Sequence, residues 1–203
     1  MTNVYKNEQS GRSMVEMLGV LAIIGVLSIG GISGYSKAMA KYRVNKTLDQ
    51  ISMLVMNIRS LFSASVDYSG LNNAISIQMG IIPGDMQTGV AGQITNAYQG
   101  RVFIGNPAAN NTREFFVEYT GLTQEACVSL ATADWGSQAG SGLVSIAVGP
   151  TNNKTPDAAA IPANVFTIGA AAAANAIPIE LQYAAAACSN DDDNGNIIRW
   201  TYY

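Results

Sequence analysis

The sequence predicts an anchored α+β protein, with one long N-terminal helix followed by a head of short strands and helices. The first sign is Met17–Ser36, a run of twenty residues without a charge. The second is a helical spacing of apolar residues that continues beyond this run. The third is a change near Ser65 to short β-like segments separated by glycine, proline, asparagine and aspartate. The length of 203 residues fits one domain plus an anchor.

The uncharged run is long enough to span a membrane. A helix rises about 1.5 Å per residue, so twenty residues cover roughly 30 Å, the thickness of a hydrocarbon core. A cleaved secretory signal is the alternative, but the leader is polar, its Lys6 is offset by Glu8, and no Ala-x-Ala site clearly follows. Apolar residues then recur every three or four positions, at Val44, Leu48, Ile51, Val55, Ile58 and Phe62. We therefore expect one helix of about fifty residues, apolar all round at first and amphipathic later.

The head is expected to contain five strands and two helices. Strands are predicted at 101–105, 113–122, 143–149, 164–170 and 197–203, the last with Ile198, Trp200 and Tyr202 on one face. One helix is predicted at 123–134 with Thr123 as its N-cap. The other is predicted at 178–188 with Pro178 at its start, where a missing N–H does no harm. The alanine-rich tract 169–175 is compatible with helix or with extended chain.

Charge is unevenly distributed along the chain. The first sixty residues carry seven Lys or Arg against three acids, whereas the rest carries four against eleven. Such asymmetry lets a basic stem on one copy attract an acidic head on another. The net charge of -3 leaves no basic surplus to neutralise phosphates, which argues against nucleic acid as a partner.

The N-terminal segment resembles the class III signal of type IV prepilins, through Gly11, the residues Arg12-Ser13-Met14-Val15-Glu16 and the long apolar run that follows. The resemblance implies that a prepilin peptidase cuts on the cytoplasmic side, between Gly11 and Arg12. Arg12 would then be the modified N-terminal residue, although the family usually begins with an apolar one. Glu16 would be the family's glutamate, which pairs with the N-terminal amine of a neighbouring subunit during assembly.

The head resembles the type IVb major pilins, bundle-forming pilin in particular, at 67–86, 106–136 and 184–190. The resemblance implies a helix whose second half packs on an antiparallel sheet, and a variable region closed by a disulfide. It divides the chain into a leader at 1–11, a transmembrane and assembly segment at 12–36, an amphipathic segment at 37–65 and a head at 66–203.

The function implied is a structural pilin that polymerises into a filament for adhesion, aggregation or conjugation. Its partners would be copies of itself, the prepilin peptidase, the pilus assembly machinery and, before assembly, the inner membrane. Positive-inside counting of the basic residues after the apolar run favours the reverse orientation, but the resemblance places them outside. A minor pilin, a secretion-system pseudopilin and, from a different class, a signal-anchored periplasmic enzyme or binding domain remain the alternatives.

The remaining chemistry is sparse. Cys127 and Cys188 are an even pair in an exported protein, which favours a disulfide, and two cysteines without histidine do not make a zinc site. The run 190–196 follows the start of a calcium loop but has Thr201 where the bidentate acid belongs, so a turn through Asn194 and Gly195 is favoured. Without histidine or a phosphate loop, we expect no enzyme activity and no cofactor.

Overall fold

The structure is a computed structural model that describes residues 12–108, 110–136 and 141–203, with side chains from Met14 onward in the first helix. The chain forms two compact units, Met1–Tyr42 and Arg43–Tyr203. The predicted leader at 1–11 lies outside the described residues, so its cleavage remains a prediction.

The first element is helix α1, Arg12–Phe62, which has 51 residues and confirms the predicted long helix. In the second unit, Ile51, Val55 and Ile58 of the expected apolar stripe are buried, and Leu54, which the stripe did not include, is buried with them. These side chains belong to one core together with the inner face of the sheet. Burial of each such side chain contributes about 1.5–3 kcal/mol, so the amphipathic half is stabilised by the head that it covers.

The described residues of the head form one sheet of seven strands. They are β1 (Ile94–Thr95), β2 (Arg101–Gly105), β3 (Phe115–Leu122), β4 (Leu143–Pro150), β5 (Asn164–Ile168), β6 (Ala176–Ile177) and β7 (Asn196–Tyr202). Their order is β1-β2-β3-β7-β4-β5-β6, and every neighbouring pair except β5 and β6 is antiparallel. The five predicted strands are therefore present. The two additional strands have two residues each, too few to show an alternating pattern.

Strand β7 occupies the middle of the sheet, although it is the last strand in the sequence. It pairs with β3 along one side and with β4 along the other. All seven of its residues are buried. Ile198, Trp200 and Tyr202 belong to the hydrophobic core, as their predicted common face requires.

Three short α-helices lie in the described part of the head: α2 (Asn73–Gln78), α3 (Gln124–Ala131) and α4 (Leu181–Ala187). Thr123 caps α3 as predicted, because its Oγ1 accepts a hydrogen bond from the Ala126 amide at 3.3 Å. Helix α4 begins later than predicted, and Pro178 precedes it. The reason is that β6 pairs with β5 through Ile177, which keeps the preceding chain extended. The alanine-rich tract is neither helix nor strand and ends in a 3-10 turn, Ala173–Asn175.

Helix α2 is held against the exposed side of β2 by one side chain. Asn73 accepts a hydrogen bond from the Ile104 amide and donates one to the Val102 carbonyl, both at 2.8 Å. Strand β1 is too short to pair with this part of β2, so the Asn73 side chain makes the hydrogen bonds that a neighbouring strand would otherwise make. It satisfies the polar backbone at this edge.

Candidate assembly site

The first unit leaves its apolar side chains uncovered. From Met14 to Tyr35 its large apolar side chains are 52–74% exposed. Among the described residues, one helix is long and apolar enough to cross a membrane, judged by length and composition. A continuous apolar surface of this size is typical of a membrane or protein contact rather than of a solvated face.

Of the three residues predicted for processing and assembly, Arg12 and Glu16 lie in the first turns of α1. Gly11 lies outside the described residues. Arg12 is the first residue of α1, and its side chain is likewise outside the described part. Glu16 follows one helical turn later and is exposed. The structure therefore places Arg12 and Glu16 on one continuous helix, which leaves their roles as predictions.

Glu16 is the only charged residue between Met14 and Ser36. It forms no ion pair with any other residue whose side chain is described. A carboxylate inside hydrocarbon costs on the order of 2.5–3.5 kcal/mol by insertion scales, and less near the interface. Its charge is thus not compensated by the described part of its own chain.

The head is closed by a disulfide between Cys127 in α3 and Cys188 at the end of α4. Both cysteines are fully buried, and they are 61 positions apart in the sequence. Helix α3 also packs against β7, so the bridge holds the segment that leads into the last strand beside the sheet. The predicted disulfide-closed region is confirmed.

Trp200 of β7 is the centre of the packing near the disulfide. Its ring is fully buried, meets Tyr119 edge to face at 5.9 Å and lies 5.0 Å from the ring of Trp135. The Trp135 indole in turn donates a hydrogen bond to the Leu130 carbonyl at the end of α3. These contacts connect the disulfide-linked helices to the central strand.

A buried ion pair crosses the other face of the sheet, where sequence analysis did not anticipate one. Glu118 of β3 and Arg199 of β7 are direct partners in the strand register. Their side chains approach to 2.6 Å and are 0% and 8% exposed. Glu118 also accepts a hydrogen bond from the Ala160 amide at 3.0 Å, and the guanidinium lies 4.1 Å above the ring of Phe116.

The environment of this pair shifts the Glu118 titration. Burial raises the pKa of Glu118 above its ordinary value, and the positive charge of Arg199 opposes this rise. The pair also holds the segment 151–163 over the sheet, because Arg199 donates to the Ala160 carbonyl. Each residue is the single charge of its observed strand, but the strand predicted at 113–122 also contained Arg113 and Glu114, which obscured this signal for Glu118.

Polar contacts also join α1 to the loop before β1. Lys46 Nζ lies 2.8 Å from Asp85 Oδ2, and Gln50 donates to the same oxygen at 3.0 Å. Both contacts lower the pKa of Asp85, and the Lys46 hydrogen bond is the larger cause. Asn57, about two helical turns beyond Gln50, donates to the Ile81 carbonyl at 2.9 Å.

The acid-rich run 190–196 forms the turn that the sequence favoured. Asp192 Oδ1 accepts hydrogen bonds from the Asn194 amide at 2.7 Å and from the Gly195 amide at 3.2 Å. Gly195 has a φ of 72°, and a side chain there would also approach the Leu122 carbonyl. Within the described ranges, no group of three or more His, Cys, Asp or Glu is arranged to hold a metal ion.

An apolar N-terminal helix, an amphipathic continuation packed on an antiparallel sheet and a C-terminal disulfide together define the type IV pilin fold. Similarity to a solved structure supports this class: TcpA, a type IV pilin from Vibrio cholerae El Tor biotype, has a TM-score of 0.51 and 14% identity, over 80% of this chain and 99% of that one. The chain belongs to the family described as PilS N terminal, whose model matches residues 41–202.

Two curated relatives align along nearly the whole chain. Both are the major structural subunit of bundle-forming pilus, from Escherichia coli O111:H- and from Escherichia coli O127:H6 strain E2348/69. Each is 29% identical over 199 residues, which cover 98% of this chain and 95% of the relative. A type IVb pilin from Salmonella typhi has 18% identity and a TM-score of 0.49, over 78% of this chain and 98% of that one. The family model and the two curated relatives confirm the predicted resemblance to type IVb pilins, bundle-forming pilin in particular.

Proposed function

We propose that this chain is a structural subunit that polymerises into a type IVb pilus used for adhesion, aggregation or conjugation. The observation that carries the proposal is the uncovered apolar surface of the first unit, attached in sequence to a head with a complete core of its own. The names of the two curated relatives, aligned almost end to end, support the same function.

The precursor is anchored in the inner membrane by 12–36, with the head on the oxidising side where its disulfide persists. A prepilin peptidase removes the leader 1–11 by cutting between Gly11 and Arg12, and Arg12 becomes the modified N-terminal residue. The pilus assembly machinery then transfers the chain from the membrane into an extracellular filament. There, the apolar helices of neighbouring copies replace the lipid around one another.

Glu16 selects the register of this packing. Cleavage creates a positive amine on Arg12, four residues before Glu16 in sequence, and the glutamate of one copy pairs with the amine of a neighbour. An acid left unpaired in an apolar environment is penalised, so the copies are stable only where amine and carboxylate meet. The uncompensated charge of Glu16 and its position in the apolar run support this role.

Mass spectrometry of filaments sheared from cells that express the full chain tests this function. We expect the chain to be the most abundant protein of the sheared material, with an N-terminal peptide that begins at Arg12. A trace amount within filaments made of another protein would instead identify a minor pilin or pseudopilin. Absence from filaments, together with catalytic turnover or tight ligand binding by the purified chain, would support an anchored enzyme or binding domain.

A further inference from the structure

A cavity of about 350 Å³ opens beside the acid-rich turn of the head. It lies where this turn, the start of α3 and the first residues of the second unit meet. Four carboxylates and two cations line it: Glu125, Asp191, Asp192, Asp193, Arg43 and Lys154. The excess of negative charge favours a cationic occupant.

Three of the four carboxylates are available to such an occupant. Asp192 is used by the turn, where it accepts backbone hydrogen bonds. Glu125, Asp191 and Asp193 are exposed, and none forms a hydrogen bond or an ion pair within the part of the chain that the structure describes. The cations that line the cavity therefore leave these acids unpaired.

Tyr98 adds a second polar feature to the cavity. The residue lines the cavity and is only 6% exposed, yet its hydroxyl has no hydrogen-bond partner among the described residues. The charges that act on this hydroxyl are those of Arg43 and Glu125, which line the same cavity. A buried hydroxyl is normally hydrogen-bonded, so an occupant that supplies a donor would complete its environment.

A primary ammonium group matches these acceptors, because it has three donors and one positive charge. Two lysines of the first unit can supply it from another copy. Lys37 and Lys41 are four residues apart on one helix face, are exposed, and form no ion pair in the described structure. Lys46, by contrast, is paired with Asp85, and Lys154 lines the cavity itself.

We propose that the Lys37–Lys41 face of one copy docks in the acidic cavity of a second copy, with an ammonium group between the carboxylates and the Tyr98 hydroxyl. The inference rests on the proposed polymerisation and adds to it a specific contact between a stem and a head. The uneven charge of the chain supplies the long-range attraction for this contact.

Charge exchange in the full chain tests the contact. Lys41→Glu and Asp193→Lys should each lower the filament yield by about tenfold, since each places like charges opposite one another. The double variant should restore most of the yield. The yield is divided by the amount of inserted and cleaved subunit, which removes any effect on membrane insertion. The matched control combines Lys41→Glu with Asp157→Lys, because Asp157 is an exposed acid beside a different cavity and should give no rescue.

Covalent trapping gives an independent measurement. Filaments of the Lys41→Cys, Asp193→Cys variant should show oxidant-dependent dimers and higher species on a non-reducing gel, whereas Lys41→Cys with Asp157→Cys should not. The inference is overturned if charge reversal leaves the filament yield unchanged, and the polymerisation proposal then still stands. It is also overturned if the exchange fails to rescue while Lys41→Glu reduces binding to anionic vesicles, since the lysines then contact lipid headgroups.

Discussion

The two halves of α1 have the same secondary structure and opposite surroundings. Residues of the second half such as Ile51, Leu54 and Ile58 are fully buried by the head, whereas apolar residues of the first half, such as Val26, are more than half exposed. The helical backbone therefore says little about what stabilises each half. The second half is stabilised by its own chain, whereas the first half exposes an apolar surface that is typical of a membrane or protein contact.

Two acids, Glu16 in the first half of α1 and Glu118 in the head, differ in the same way as these two regions. Glu16 is the only charge from Ser13 to Ser36, and Glu118 is the only charge of strand β3. Glu118 meets Arg199 inside the head, at 2.6 Å. Glu16 meets no cation within the described residues of its own chain. Glu118 thus has its partner in the same chain, whereas we propose that the partner of Glu16 lies in another copy.

Of the substitutions that test this comparison, we expect Glu16→Gln to have the largest effect, a loss of filaments. Glu16→Gln should be inserted and cleaved normally, and the head should unfold at the same denaturant concentration, yet filaments should be few or absent. The reason is that the amide cannot form the charged pair that we propose sets the register. Electron microscopy counts the filaments, and Glu16→Asp, which keeps the charge, is the control. If Glu16→Gln cells form as many filaments as wild type, the pairing role is wrong. Glu16 would then act only as an acid that complements the helix dipole near the N-terminus.

In contrast to Glu16→Gln, which should leave the head as stable as wild type, Glu118→Gln should greatly reduce the stability of the head. Removal of one partner leaves the Arg199 charge buried and unpaired, which costs about 3–5 kcal/mol. Denaturant unfolding of the full chain in detergent, followed by tryptophan fluorescence, measures the loss. The double variant Glu118→Leu, Arg199→Met should recover most of it. A stability of Glu118→Gln within about 0.5 kcal/mol of wild type would contradict an energetic role for the pair.

Removal of the disulfide should also act on the head. Cys188→Ser should lower the free energy of unfolding by about 2–5 kcal/mol, since a bridge across a loop of this length restricts the unfolded chain by roughly 4 kcal/mol. The same unfolding measurement applies, with reduced wild-type protein as the comparison. Equal stability of oxidised and reduced wild type would show that the bridge does not stabilise the head.

The smallest expected effect concerns the contact between α1 and Asp85. The folded pKa of Asp85 is below its ordinary value of 3.8, so its interactions stabilise the fold above that pH and lose this effect as the pH falls through the folded pKa. Asp85→Asn should therefore be less stable at neutral pH, by under about 1 kcal/mol because the pair is partly exposed. Unfolding curves from pH 7 downward should converge in strong acid. If the difference in stability between wild type and Asp85→Asn does not change with pH, the charge of Asp85 is not the cause of that difference.

Local patterns explain which predictions were confirmed. The stripe from Val44 to Phe62, the strand at 101–105 and the cap at Thr123 depend on residues close in sequence, so their spacing is visible without a structure. The predicted start of α4 at Pro178 was wrong. In the sequence, Pro178 is compatible with a first helical turn, and only the pairing of β6 with β5 shows that the chain is still extended there.

The sequence by itself determined the long two-part helix, the predicted strands and, with only two cysteines, the disulfide. The tertiary structure alone decided that β7 lies between β3 and β4, and that Glu118 faces Arg199. It also decided that 151–163 is held over that pair. The physical reason is the separation in sequence between the residues that interact. Helical and strand periodicity follow from bonds between near neighbours, whereas strand order and the pairing of buried charges follow from contacts between distant segments, which become defined only when the core forms.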